Sequence, residues 1–282
     1  MTAKMSIIIF TALAGVSLVQ EGAIIEITGT RSVHFIVKDP LGRRTGRDPR
    51  GSSKPWIGTA LQEIPNANYS TNAIGDSRTE IQPSEDDIQH EFMYEAGFPE
   101  DYGRYLIDAI GIKPGLYSIY VTVSLRIDSV QPFHAEFRGL IDKDSSRQYR
   151  LELSSQQGAR TSLEKVPSWG AIRIDINVGY EVGLLGDKDL YKDLTHRLDK
   201  FEKYLAHKDS SKAREELEDF KDKIEDVRKQ TVKKEQKKER REKEFLTKDA
   251  YQILQEDVDA LLKQLPQRRK GKGWDHDDRD RP

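Results

Sequence analysis

An acidic segment just ahead of an imidazole is the part of the sequence best suited to do chemistry. Asp86 and Asp87 precede His90, and carboxylates beside an imidazole could cooperate in acid–base catalysis or bind Ca²⁺. Asp142 and Asp144 are separated by one residue in a predicted turn and form a second candidate calcium site. Acidic residues before a strand more commonly lie in a solvated turn. We therefore predict no catalytic residue and no cofactor, with calcium as the one ion that these carboxylates could hold.

Several catalytic and metal-binding patterns are absent from the sequence. It contains no cysteine, which excludes disulfides, thiolate zinc sites and cysteine nucleophiles. Its six histidines show no H-E-x-x-H spacing, and neither a glycine-rich phosphate loop nor a nucleophile elbow occurs. The 46 basic and 48 acidic residues leave a formal net charge of -2, so no global attraction to nucleic acid or membranes is expected. The composition favours a noncatalytic protein.

The strongest local charge lies in the segment 233–243, which contains seven basic and three acidic residues. The residues that could contact a polyanion are Lys233, Lys234, Lys237, Lys238, Arg240 and Arg241. Such a contact would weaken steeply with salt. The segment contains no aromatic side chain on which a base could stack, which argues against nucleic acid. Alternatively, it extends a solvated helix from about residue 211 to 243, stabilised by Glu–Lys pairs.

A second candidate contact surface lies in the segment 43–87, which is rich in turn-forming residues and predicts a long loop. Its candidate ligand-binding residues are Arg43, Arg44, Arg47, Trp56 and Tyr69. The arginines could meet an acidic polymer or a carboxylate, and the two rings could stack on a sugar or another flat partner. The alternative is a solvated loop in which Trp56 closes one end of the fold.

Near Gly186 the spacing of apolar residues changes from one typical of strands to one typical of helices, and these elements must position the candidate residues above. From residue 23 to 185 the apolar residues recur with a period of two in short runs, and the last predicted strand extends from Ala171 to Val178. Turn formers separate about eight such runs, and this pattern is typical of an antiparallel all-β sandwich. The predicted β domain therefore occupies residues 23–185.

Residues 186–265 instead show helical periodicity in three successive stripes. The stripes are Leu190, Leu194, Leu198, Phe201 and Leu205; Ala213, Leu217, Phe220, Ile224 and Val227; and Tyr251, Leu254, Val258, Leu261 and Leu265. Single stripes must be buried against each other or against a partner. We predict a three-helix antiparallel bundle with one long charged helix, followed by a disordered charged tail over 266–282.

Two parts of the chain resemble known modules. The segments 212–227 and 246–254 resemble the FIMAH domain, a helical module of secreted and surface proteins, and the likeness covers about 190–265. The segments 37–46, 63–69 and 114–121 resemble a β module of exported multidomain prokaryotic proteins. The FIMAH resemblance implies an accessory or interaction role without catalytic residues.

The apolar opening stretch from Ser6 to Val19 follows Lys4 and predicts a signal peptide over residues 1–22. The alternative is that it supplies two buried strands. The run is too short to span a bilayer, so no transmembrane segment is expected after removal of the leader. We predict a noncatalytic binding or assembly protein, secreted or at the cell surface, whose partner is a surface polymer or an envelope protein. The alternatives are a carbohydrate-active or metal-dependent hydrolase and a cytosolic polyanion-binding protein; the sequence does not indicate the oligomeric state.

Overall fold

The computed structural model describes residues 22–30, 32–50, 58–73, 88–125, 131–154, 161–237 and 245–266. Antiparallel β sheets form the N-terminal part of this region, and α-helices form the C-terminal part. None of the helices in these ranges is long and apolar enough to cross a membrane. Residues 1–21 of the predicted leader and residues 267–282 of the predicted disordered tail lie outside the described residues.

The first sheet has five antiparallel strands. In spatial order they are β5 (Asn68–Ala73), β6 (Ile88–Ala96), β1 (Ala23–Gly29), β8 (Gly115–Leu125) and β9 (Phe133–Ile141). Alternate residues of β1 are buried, as the period-two pattern predicts. One face of this sheet therefore contributes to the core.

The second sheet has six antiparallel strands. In spatial order they are β11 (Ser162–Lys165), β10 (Ser146–Leu153), β7 (Gly103–Gly111), β2 (Val33–Lys38), β3 (Arg44–Asp48) and β4 (Thr59–Gln62). Residues of both sheets belong to one buried apolar cluster, which includes Ile27 and Phe92 from the first sheet and Phe35 and Leu151 from the second. The hydroxyl groups of Tyr117 and Tyr149 lie 2.6 Å apart and join β8 to β10 inside this core.

The segment 43–87, for which we expected a long loop, contributes the strands β3, β4 and β5 where it is described. β3 is short of apolar side chains, but its backbone pairs with β2 and its Thr45 is buried. Thr45 also accepts a hydrogen bond from the backbone N–H of Ile64 at 3.1 Å. Backbone pairing with an apolar neighbour therefore makes a polar segment into a strand.

The described C-terminal part contains four α-helices. They are α1 (Trp169–Glu181), α2 (Lys188–Ala206), α3 (Ser210–Lys237) and α4 (Lys248–Gln264). The members of the three predicted stripes are buried in one cluster or packed against it. At 1.5 Å per residue, the 28 residues of α3 span about 42 Å.

The prediction of a strand from Ala171 to Val178 is wrong, because these residues belong to α1. Their alternation of apolar and polar residues also satisfies a helical period, since Ile172, Ile176 and Gly179 are buried at spacings of four and three. The segment is a helix and not a strand because its helical apolar face packs on β9 and on α4. The helical part therefore has one helix more than predicted.

Two short strands tie the beginnings of α2 and α4 together. β12 (Leu185–Gly186) pairs with β13 (Phe245–Leu246). A Cβ atom at Gly186 would lie 2.0 Å from the ring of Phe245, so only glycine leaves room for that ring. The side chain of Thr231 on α3 accepts from the backbone N–H of Leu246 at 3.2 Å, which fixes the same corner to α3.

Candidate functional site: the junction of sheets and helices

The helices α1 and α4 cover one side of the paired sheets. Both contact β9, the edge strand of the first sheet, while α2 packs on α1 and α3 packs on α4. The apolar part of this contact is formed by Leu140 of β9, Val178 of α1 and Ile253 of α4, all of them buried. Covering an edge strand in this way shields its unpaired backbone groups. The two halves of the chain are therefore in direct contact through buried side chains.

A buried arginine connects three elements at this junction. Arg147 of β10 donates from one guanidinium nitrogen to the backbone oxygens of Leu140 and Ala171, at 3.0 and 2.7 Å. The same nitrogen lies 2.6 Å from a carboxylate oxygen of Asp175 on α1. Arg147 is 3% exposed and Asp175 is 0% exposed. Arg147 thus joins β10 to both β9 and α1 in a site that is closed to bulk solvent.

A second buried ion pair lies at the same junction. Lys165 of β11 contacts the carboxylate of Asp257 on α4, and the two side chains are 9% and 1% exposed. Burial raises the pKa of the Asp175 carboxyl well above its usual range; Arg147 opposes this shift, and Asp257 reinforces it. Two cations from the second sheet therefore meet two carboxyl groups from the helices. Such an arrangement can fix one docking geometry, because any shift would leave a buried charge unpaired.

An open cleft lies on the outer side of this junction, between β9 and α4. It encloses about 340 Å³ and is lined by Glu136, Arg138, Lys248, Asp249, Gln252, Ile253 and Glu256. Arg138 lies 2.7 Å from Glu136 on its own strand and 3.9 Å from Asp249 on α4. Most of the walls are thus polar, and the guanidinium between them is already compensated by carboxylates.

Two charged groups of the cleft make no hydrogen bond or ion pair with any other described residue. They are the Lys248 ammonium in the first turn of α4 and the Glu256 carboxyl two turns later. The two residues are eight positions apart on α4, which is a rise of about 12 Å along the helix axis. Burial raises the pKa of Glu256, and Lys165 opposes that shift. Both groups are available to a ligand that enters the cleft.

An exposed tyrosine stands beside the cleft. Tyr120 of β8 is directly opposite Glu136 in the register of β8 and β9, and this residue is 42% exposed. Residues opposite each other on neighbouring strands have Cβ atoms about 4.5–5.5 Å apart. The outer face of the first sheet therefore places an aromatic ring next to the carboxylate that begins the cleft.

The arginines expected to bind ligand have partners within the protein. Arg43 donates to Asp39 at 2.5 Å, and Arg44 donates to Glu63 at 2.8 Å. These contacts raise the pKa of both guanidinium groups. Arg47 lies on β3 and acts electrostatically on Tyr69 and His90.

Of the two aromatic residues predicted to bind ligand, Tyr69 and Trp56, the structure describes only Tyr69. Tyr69 packs edge-to-face on Phe35 with ring centroids 5.1 Å apart, and its hydroxyl lies 3.0 Å from Nδ1 of His34. Burial raises the pKa of Tyr69. Trp56 lies outside the described residues. The structure therefore places Tyr69 against the core, and a contact by Trp56 stays a prediction.

The basic segment is described only in part. Lys233 and Lys234 lie near the end of α3, beyond Thr231, which is the last buried residue among the side chains of that helix that the structure describes. Lys237 is the last residue of α3, and the remaining predicted contact residues, Lys238, Arg240 and Arg241, lie outside the described part of the chain. The described helix thus ends six residues short of the predicted end at residue 243.

The imidazole of the hydrolase hypothesis is inside the protein. His90 of β6 is 0% exposed, and its ring lies 4.1 Å from that of His34. Burial lowers the pKa of His90 to about 3, and the charges of His34 and Arg47 act in the same direction. Asp86 and Asp87 lie outside the described residues. The ring of His90 is therefore enclosed by the protein.

The second candidate calcium site is a tight turn between β9 and β10. The Asp142 carboxylate accepts from the backbone N–H of Lys143 at 2.7 Å, and Asp144 adopts a left-handed φ of 61°. Across the ranges that the structure describes, no three acidic, histidine or cysteine side chains are grouped closely enough to hold a metal ion. Calcium binding by Asp142 and Asp144 stays a prediction.

Sequence reasoning missed the four charged residues of the junction, although three of them carried a signal. Arg147 has the same strand parity as the apolar Tyr149 and Leu151, so alternation alone assigns it to the buried face. Asp175 and Asp257 likewise occur among buried apolar residues at helical spacing. A charged residue on an apolar face is a sign of a buried ion pair.

Comparison with known protein families identifies part of the helical region. Residues 183–240 match the FIMAH domain, and the match overlaps α2 and α3. The helices α1 and α4, which carry the contacts with the sheets, lie outside the matched residues. Searches among curated proteins and among solved structures returned no match. The chain therefore contains, behind two antiparallel β sheets, a FIMAH domain, a module typical of extracellular or surface proteins.

Proposed function

We propose that this protein is an exported, noncatalytic binding or assembly protein of the cell surface. The observation that carries the proposal is the FIMAH domain, together with its attachment to the β sheets through α1 and α4. Arg147 and Lys165 reach from the sheets to carboxylates on these two helices. A binding surface that combines both parts would therefore keep one shape. In this proposal the sheets form an antiparallel sandwich that supports the helical module.

The first experiment tests export, on which the proposal depends. The full chain is expressed in a bacterial host, and its intact mass is measured in the exported and cytosolic fractions. An exported product that lacks about 14 to 22 N-terminal residues supports the proposal. A full-length product confined to the cytosol would overturn it and would favour the cytosolic polyanion-binding alternative.

Polyanion binding by the C-terminal end of α3 is a second proposed contact, and it is supported by the basic segment that begins at Lys233. Its test is binding to dextran sulfate at several salt concentrations. Changing Lys233, Lys234, Lys237 and Lys238 together to glutamine should weaken the binding and flatten its salt dependence by about one unit of slope for each lost contact. A slope unchanged by the four substitutions would refute this contact.

The hydrolase alternative has less support, because the burial of His90 separates its imidazole from bulk solvent. If Asp86 and Asp87 nevertheless act in hydrolysis, Asp87→Asn should abolish turnover of a saccharide that the wild type cleaves. Binding without turnover in the wild type would exclude this alternative for that saccharide.

A further inference from the structure

We propose that the cleft between β9 and α4 binds a short segment of an uncharged saccharide. This inference rests on the proposed binding function and names the ligand class and the site. The cleft volume of about 340 Å³ lies at the lower end of the roughly 300–1,000 Å³ of ligand pockets. Pockets of this kind occur preferentially where domains meet. The position and the size of the cleft therefore suit a small part of a longer chain.

The polar groups of the cleft match the chemistry of sugar hydroxyls. Each hydroxyl both donates and accepts hydrogen bonds. Glu136, Asp249 and Glu256 supply acceptor oxygens, Lys248 supplies a donor, and the Gln252 amide supplies both. Glu256 and Lys248 are without hydrogen-bonding or ion-pairing partners among the described residues, so binding would not have to break an existing ion pair.

Apolar groups complete the match. The C–H faces of a sugar ring pack on aromatic rings, and Tyr120 offers an exposed ring next to Glu136. Ile253 also borders the cleft, but it is only 2% exposed, so Tyr120 supplies the apolar contact. An aromatic ring beside mixed hydrogen-bonding groups distinguishes this cleft from a purely polar surface.

The charges of the cleft disfavour a polyanion and a wholly apolar ligand. Three carboxyl groups face two cations, and one of these cations, Arg138, is already compensated by Glu136 and Asp249. A sulfated or phosphorylated polymer would find only Lys248 as an uncompensated cation. A wholly apolar ligand would bury the charged walls without partners, which is costly. An uncharged, hydroxyl-rich ligand meets neither penalty.

The experiment measures binding of soluble cello-, xylo- and chito-oligosaccharides to the full mature chain by calorimetry, with dextran sulfate and a mixed-charge peptide as competing classes. The wild type should bind at least one of the three uncharged series. Tyr120→Ala should weaken that binding about fivefold or more through loss of ring packing. Gln252→Ala should weaken it about three- to tenfold through loss of a hydrogen bond. Both side chains are exposed, so neither variant removes core packing.

The matched control is Tyr180→Ala, because Tyr180 is a similarly exposed tyrosine (39%) on α1 that stacks on Tyr191, whereas Tyr120 is paired in register with the cleft residue Glu136. It should leave the affinity unchanged. The inference is overturned if none of the three uncharged series binds, if only dextran sulfate or the peptide binds, or if Tyr120→Ala has no more effect than the control. Continued binding of the cleft variants to isolated cell envelopes would show that the proposed function survives the failure of this site.

Discussion

Removing the buried guanidinium of Arg147 should be among the most damaging single changes to this protein. The variant Arg147→Met keeps much of the side-chain volume but deletes the group that contacts Leu140, Ala171 and Asp175 at 2.6–3.0 Å. The Asp175 carboxylate is then left buried without this partner. Breaking a buried pair from one side costs about 3–5 kcal/mol of unfolding free energy. That loss is a large fraction of a typical domain stability of roughly 5–15 kcal/mol.

A matched control exists on the same sheet. Arg104 and Glu152 form an ion pair at 2.7 Å between β7 and β10, with side chains 61% and 41% exposed. An exposed pair contributes about 0–1 kcal/mol, so Arg104→Met should be nearly silent. Urea unfolding gives the stability of each variant, and amide hydrogen exchange in α1 reports the junction directly. In Arg147→Met, exchange in α1 should accelerate more than exchange in α3.

The pH dependence of the variant provides a second test. Arg147 lowers the pKa of Asp175, whose carboxyl is raised by burial. Without Arg147 the folded-state pKa lies still further above the unfolded value. A carboxyl group whose pKa is higher in the folded than in the unfolded protein adds to the free energy of unfolding below its unfolded-state pKa. This contribution is lost as the pH rises through its folded-state pKa. The deficit of Arg147→Met should therefore be larger at pH 8 than at pH 5.

The double variant Arg147→Met/Asp175→Leu separates pairing from packing. Replacing both charges by apolar groups of similar volume is often neutral or stabilising, so the double variant should recover most of the loss. The reasoning would be refuted if Arg147→Met cost less than about 1 kcal/mol, as an exposed pair does. It would also be refuted if the loss of unfolding free energy in the double variant equalled the sum of the losses in Arg147→Met and in Asp175→Leu.

Three further predictions concern the sheets and the helix ends. Acid should destabilise the sheets through His90, because its pKa of about 3 in the folded protein lies below the ordinary 6.5. The neutral, buried ring contributes fully to the free energy of unfolding above pH 6.5. Below that pH the free energy of unfolding should decline by at most about 1.4 kcal/mol per pH unit. Urea titrations from pH 7 to 4 should show a shallower decline in His90→Leu, whereas the change of the exposed His134 to leucine should leave the slope as it is. Gly186→Ala should cost about 1–3 kcal/mol and lower the melting temperature, because its Cβ would collide with Phe245; an unchanged melting temperature would contradict the packing at that corner. Thr247→Ala removes the side chain that caps α4 and should cost about 1 kcal/mol in urea unfolding, while Thr247→Ser should retain most of the stability.

The elements with strong periodicity could be predicted from the sequence. The stripes that begin at Leu190, Ala213 and Tyr251 are buried or packed on the helical core, and Asp187 and Thr247 accept backbone hydrogen bonds as helix caps. Apolar residues at helical spacing lie on one face of a helix, and that face is buried by packing. The antiparallel pairing of the sheets likewise follows from short alternating runs and turns.

The errors occurred where local pattern was ambiguous or weak. The residues from Ala171 to Val178 alternate like a strand and repeat like a helix, and the choice depends on the tertiary surface that they cover. The polar strand β3 has little apolar signal, because it is defined by hydrogen bonds to β2. The cleft combines residues of β9 and α4 that are more than 100 positions apart, such as Glu136 and Asp249. No local sequence pattern indicates that residues so far apart in the chain lie close together.

The charges at the junction are better understood as a source of specificity than as a source of affinity between the two parts. Apolar side chains such as Leu140, Val178 and Ile253 tolerate small changes in packing geometry, since their contacts have little directionality. The pairs Arg147–Asp175 and Lys165–Asp257 tolerate such changes poorly, because a displaced helix would leave charges buried without partners. The first pair fixes α1 and the second fixes α4, so together they restrict the helices to one orientation on the sheets. The walls of the cleft come from β9 and α4, and its shape therefore depends on charged groups that it does not itself contain.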